Sequence, residues 1–168
     1  RDVAPSRGLG DVYKRQEVAG VTVEGKVAYL SLVQLQAGVT WQKSHYTRPE
    51  KWSKDSSVPA EKRIFRTPDW YGYFTATYSP VKPLNIALSG TYTGSMIVQH
   101  MKGYIPKDIA VTTPDFFDMN LKISYDFSLY KFITLQLNAG IQNIFNAYQR
   151  DFDQGKERDS GYIYGPSM

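Results

Sequence analysis

The 168-residue chain has no cysteine and only two histidines, His45 and His100. Without cysteine there is no disulfide framework and no thiolate metal centre. No run of about 18 apolar residues occurs, so no membrane-spanning helix is predicted. That leaves the membrane open, because a spanning β-strand needs only about ten alternating residues. Apolar residues nowhere recur at the helical period, so no amphipathic helix is predicted either. No Ser/His/Asp or Cys/His nucleophile set falls on neighbouring elements, so no catalytic residue and no enzyme activity is expected. No Cys/His finger, RNA-binding aromatic motif or basic helix occurs, and no nucleic-acid partner or cofactor is predicted.

The formal charge of +4 is also less than it looks. Residues 1–16 carry Arg1, Arg7, Lys14 and Arg15 against Asp2 and Asp11, a net of +2, which leaves +2 for residues 17–168. Within this arm, "SRGLGDVYKRQ" (Ser6–Gln16) has neither helical nor strand periodicity. Back-translated, it resembles the adapter used in transposase-based sequencing libraries, and Arg1-Asp2 fits the end of the upstream primer. The resemblance implies that 1–16 is a non-native, disordered segment, set aside from the fold. The domain proper is then expected over 17–168.

What the chain has in abundance is alternation. Leu84, Ile86, Leu88, Gly90, Tyr92, Gly94 and Met96 share one side of a stretch whose other side is Asn85, Ala87, Ser89, Thr91, Thr93 and Ser95. Phe117, Met119, Leu121, Ile123, Tyr125 and Phe127 alternate with Asp118, Asn120, Lys122, Ser124 and Asp126. Ile133, Leu135, Leu137, Ala139 and Ile141 alternate with polar partners in the same way, and noisier copies lie upstream. Period 2 over such lengths predicts strands. Six are expected, over 18–28, 33–47, 68–79, 84–98, 116–127 and 132–146.

The connections alternate too. Tight turns at 29–32, 80–83 and 128–131 separate long polar segments at 48–67, 99–115 and 147–161. Outer-membrane barrels have this asymmetry, with short turns at one rim and long loops at the other. Tyr78, Tyr125, Phe127, Tyr130 and Phe132 fall at the tight-turn ends; Trp41, Tyr71, Tyr73, Tyr92 and Phe117 fall toward the loop ends. Leu84 to Tyr92, at about 3.3 Å per residue and 45° tilt, spans roughly 21 Å, close to the lipid-facing band of such barrels. A soluble β-sandwich with one wet face is the alternative that this pattern leaves open.

The tail carries a family resemblance. Gly140, Asn143, Ile144, Phe145, Asn146 and Tyr148 approximate a G-x-x-N-(L/I)-F-N-x-x-Y strand pattern, with the tyrosine displaced, and Tyr162 with Gly165-Pro166 follow as an entry to a last strand. "QLQAGVTWQKSHY", "RTPDWYGYFTATYSP" and "LSGTYTGSM" look like further strand units of the same kind. The chain thus resembles the C-terminal part of TonB-dependent outer-membrane receptors. That resemblance implies an antiparallel transmembrane β-barrel fragment, about six C-terminal strands of a 22-stranded barrel with the final strand missing. It implies a bacterial outer-membrane location, with lipid, a TonB complex reached through a missing plug domain, and a small-molecule or oligosaccharide cargo as partners. The cargo classes implied are ferric siderophore, haem, cobalamin or glycan. The alternatives are a passive or adhesive outer-membrane barrel and a soluble β-sandwich binding module.

Candidate ligand contacts are Trp52, His100 and Tyr104, all on the long segments, because loops on a rigid scaffold carry binding. His45 and His100 are expected to be solvated and too far apart to form a metal pair. "DFDQGKERD" (Asp151–Asp159) departs from the calcium-loop spacing, and its Arg150, Lys156 and Arg158 suggest internal ion pairs with Asp151, Asp153, Glu157 and Asp159. No metal ligand is assigned. The basic 48–67 loop is electrostatically suited to an anionic ligand or a lipid phosphate. Gln36, Gln42, Asn85, Lys122, Asp126, Gln136 and Asn138 fall on the polar side, facing water or a plug.

Overall fold

A computed structural model describes residues 16–165. Residues 1–15 of the arm therefore lie outside the described residues. Gln16, assigned to the arm, instead opens the first strand and pairs with Tyr46. The described chain is all-β, with nine strands and no helix. They are β1 (Gln16–Tyr29), β2 (Val33–Glu50), β3 (Glu61–Arg63), β4 (Trp70–Val81), β5 (Leu84–Thr93), β6 (Ile97–His100), β7 (Ile109–Thr112), β8 (Phe116–Tyr130) and β9 (Ile133–Ile141). One antiparallel sheet runs β1-β2-β4-β5-β8-β9, with β3 added to the long end of β2. It is not closed, and β1 and β9 form its two outer edges. A separate ribbon pairs β6 with β7.

The register puts the apolar sets together. Val23 faces Val39, Val39 faces Gly72, and Gly72 faces Tyr92 across successive strands. Leu88 faces Ala76 on one side and Leu121 on the other. Directly opposed residues of a ladder point to the same side. From the row Val21–Trp41–Trp70 down to the tight turns, this side of the sheet carries no charged residue. It is also uncovered: Val27 is 67% exposed and Leu137 53%. One ring presses over a glycine on this side. A Cβ at Gly90 would lie 2.2 Å from the Phe74 ring, so the glycine is what lets Phe74 lie flat across the strand pair.

The opposite side is polar and cross-linked. Thr22 and Thr40 share a hydrogen bond of 2.9 Å, Tyr73 donates to Glu24, Gln136 donates to Asp126, and Ser124 donates to Asn138. Tyr71 and Tyr73, expected in the aromatic rim with Trp41, oppose Thr40 and Gly38 and so belong to this polar side. The apolar side's loop-end aromatics are instead Trp41, Trp70, Tyr92 and Phe117. Trp41 and Trp70 lie 6.2 Å apart, and Phe117 continues the row to Phe145 at 5.6 Å.

Two expected strands are shorter than their alternation suggested. The stretch 84–98 breaks after Thr93, where the Gly94 amide donates to the Trp70 carbonyl, and Ile97–Val98 leave for the ribbon. The stretch 132–146 ends at Ile141 because asparagine closes a turn there. Asn143 and Asn146 adopt left-handed φ of 50° and 53°. The Asn143 side chain also accepts from the Ala147 amide at 2.7 Å and donates to the Ala147 carbonyl at 3.0 Å. Asparagine tolerates that conformation and offers the backbone a local partner, so N-I-F-N reads here as a turn.

Candidate functional site

The hydrophobic core lies in the loops. Met96, Val98 and Tyr162 are buried together, with Val111 and Tyr164 packed against them. Each of the three long segments contributes to this cap. The ribbon is closed at its root by reciprocal bonds between Met96 and Thr113. Arg66, at a left-handed φ of 60°, donates its amide to the Ile97 carbonyl and its guanidinium to the carbonyls of Gly161 and Ile163. That one residue ties 48–67 to the ribbon and to the tail. A strained backbone persists only where its surroundings hold it, and three carbonyls hold this one.

The tail segment is fixed by carboxylates. His100 stacks on Tyr162 with centroids 3.7 Å apart, and its Nε2 lies 2.8 Å from the Asp153 carboxylate, both side chains being buried. Asp153 also accepts from the Asp159 amide, and Asp159 accepts from the amides of Met101 and Gly161. The buried Gln149 amide donates to the Tyr162 carbonyl and accepts from the Tyr164 amide. Asp151 accepts the hydroxyls of both Tyr162 and Tyr164.

These contacts correct two expectations. His100 is not a solvated residue open to ligand; it is a strut of the cap. Asp151, Asp153 and Asp159 bond tyrosine, histidine and backbone donors, and the expected pairs with Arg150, Lys156 and Arg158 are absent among the described residues. Arg150 lies over the Tyr148 ring, at 5.3 Å. His45 pairs with Glu17 across β1 and β2 at 3.2 Å. No group of three His, Asp or Glu side chains among the described residues is placed to hold a metal ion.

The tyrosine–aspartate trio makes the cap sensitive to pH at both extremes. Burial raises the Tyr162 and Tyr164 phenols, and the Asp151 carboxylate beside them raises them further. Burial also pulls Asp151 upward, but the two tyrosine hydroxyls, together with hydrogen bonds from its own amide and the Gln149 side chain, outweigh it and hold the carboxyl below its ordinary range. A raised phenol adds stability that is complete below the unfolded value of about 10 and is lost as pH climbs beyond it. A lowered carboxyl adds stability that is complete above about 4 and is lost as pH falls. Protease nicking of 147–161 should therefore stay low between about pH 4 and pH 10 and rise outside that window. Asp151→Asn should flatten the acid limb, and an unchanged acid limb in that variant would remove Asp151 as its cause.

A cleft of about 470 Å³ opens where 48–67 meets the ribbon, lined by Trp52, Lys54, Asp55, Met101, Lys102 and Asp108. Ser53 donates to Asp108, the Lys102 amide donates to the same carboxylate at 2.6 Å, and Lys107 donates to the Ser57 carbonyl. The bonds from Ser53 and the Lys102 amide hold Asp108 below the usual carboxylate range, the Ser53 hydroxyl most of all. The Ser57 amide lowers Asp55 in the same way. Trp52, half-buried, meets Phe65 edge-on at 5.3 Å. Of the three predicted ligand contacts, only Trp52 lines the cleft; Tyr104 is exposed outside its lining. Met101, Lys102 and Asp108 were missed, because their nearness to Trp52 depends on a crossing between loops about 50 residues apart. On the sheet's polar side, Thr75, Ser89, Asn120, Lys122 and Asn138 border a second, open depression of about 710 Å³.

The architecture is thus an open antiparallel sheet with one apolar side, one polar side and an interlocked cap at a single end. No protein-family model matches the chain, and no curated protein matches it.

Proposed function

We propose that this sheet is part of the wall of an outer-membrane β-barrel of the TonB-dependent receptor kind. The observation that carries the reading is the uncharged apolar side, continuous over six in-register strands and uncovered. Lipid satisfies such a surface, whereas water-soluble monomers rarely expose contiguous apolar patches beyond a few hundred Å². The polar side then faces the lumen, the tight turns face the periplasm and the cap faces outside. The two free edges suit neighbouring strands of the same wall, since closure is what removes edges from a barrel. The resemblance of the tail to TonB-dependent receptors adds the energy source: contact between a plug and the inner-membrane TonB complex. In this reading the cap gathers a scarce nutrient for active uptake.

The test uses the complete protein in its own cell. The protein should fractionate with the outer membrane, and uptake of its cargo should stop when the proton gradient is collapsed. Uptake that persists unchanged would replace this reading with a passive barrel. A soluble monomer of this chain that melts cooperatively in water would replace it with a β-sandwich.

A further inference from the structure

The cleft beside Trp52 has an uneven set of committed and uncommitted groups. Its carboxylates already have donors: Asp108 accepts from Ser53 and the Lys102 amide, and Asp55 accepts from the Ser57 amide. The ammonium groups of Lys54 and Lys102 are exposed, and among the described residues neither has a carboxylate at ion-pair distance. Lys107 stands behind the cleft, on the Ser57 carbonyl. The lining therefore carries two ammoniums and two ionised carboxylates, and Lys107 nearby tips the balance to one net positive charge. Among the described residues, the one ring paired with the indole of Trp52 is Phe65, which meets it edge-on. Met101, 38% exposed, adds an apolar residue to the lining. The volume falls within the usual range for small-molecule sites.

We propose that this cleft binds a small flat aromatic ligand bearing an acid group. Its ring lies against Trp52 and Met101, and its acid group meets Lys54 and Lys102. Ring stacking on indole and sulfur–aromatic contact reward a planar ligand, while two flexible ammoniums reward a negative charge at its edge. A cation is disfavoured by the excess of ammoniums, and an aliphatic acid would forfeit the stacking. The assignment rests on the outward-facing cap of the receptor reading and names the class of cargo that this cap would admit.

The experiment uses the complete protein in detergent micelles and naphthoate as probe, with naphthamide and cyclohexane carboxylate as comparators, read by equilibrium dialysis. Naphthoate should bind about tenfold more tightly than either comparator. Trp52→Leu should weaken naphthoate about tenfold, and Trp52→Phe should restore most of the loss. Lys102→Gln should weaken it about threefold and reduce its salt dependence. Protease resistance of the cap, measured on each variant, separates lost contacts from a lost fold. Equal binding of naphthoate and naphthamide, no naphthoate binding, or full affinity in a well-folded Trp52→Leu protein would each overturn the assignment. Reconstitution of the same preparation into lipid vesicles reports on the membrane reading separately, so either can fail alone.

Discussion

Leu88→Arg should prevent the complete protein from assembling in the outer membrane, while Ser89→Arg, one residue away, should assemble normally. Leu88 sits midway along β5, between Ala76 and Leu121 on the uncharged side. Ser89 lies on the other side, between Thr75 and Asn120. An arginine facing lipid near the midplane of a barrel costs about 2–4 kcal/mol, and one facing an aqueous lumen costs little. A soluble sandwich would also reject a charge at Leu88, so a second measurement is needed. The chain has no cysteine, so Leu88→Cys and Ser89→Cys can each carry a single fluorophore. Brominated acyl chains should quench the label at 88 and spare the one at 89. Equal quenching at both positions would rule out the assignment of sides to lipid and lumen.

Tyr162→Ala should open the cap while leaving the sheet intact. The ring is 3% exposed, stacks on His100, packs against Met96 and Val98, and donates its hydroxyl to Asp151 at 2.6 Å. Truncating a buried aromatic side chain costs about 3–5 kcal/mol, a large share for a cap with so small a core. Tyr162→Phe keeps the stack and loses one hydrogen bond to a carboxylate, so its cost should be smaller, about 1.5–3 kcal/mol. Limited proteolysis should cut the alanine variant within 99–115 and 147–161 and leave the strands whole. If those segments stayed resistant in Tyr162→Ala, the cap would owe its order to the hydrogen-bonded carboxylates instead of its core.

The two variants probe opposite ends of a division in the molecule. The six long strands of the main sheet leave their apolar side largely exposed, and in the proposed reading lipid would cover it. The cap is organised like a small soluble domain, with a core, buried polar bonds and a cleft. In the proposed receptor wall, lipid would order the strands, whereas only packing can order loops in water.

The six strands of the main sheet were legible in the sequence because their side chains alternate between an apolar and a polar side; β3, β6 and β7 were not expected as separate strands. Period 2 marks Leu84–Tyr92 and Phe117–Phe127 without reference to anything distant, and the turn residues between strands fixed the order of pairing. The same local signal misled at the strand ends. Met96 continues the alternation of β5 yet belongs to the cap core, and Phe145 continues that of β9 past the turn made by Asn143. Alternation records which side a residue would face if the strand went on; it does not record where the strand stops. The site was far less legible. His100 and Asp153 are 53 residues apart, Ser53 and Asp108 are 55 apart, and Arg66 reaches Gly161 across 95. Nothing local to Trp52 announces that Met101, Lys102 and Asp108 will stand around it. By itself the sequence determined an antiparallel all-β chain with one apolar side, since alternation is a property of neighbours along the chain. Only the tertiary structure decided that the loops interlock, that His100 is a strut and that a cleft forms beside Trp52, because those depend on contacts between segments far apart along the chain.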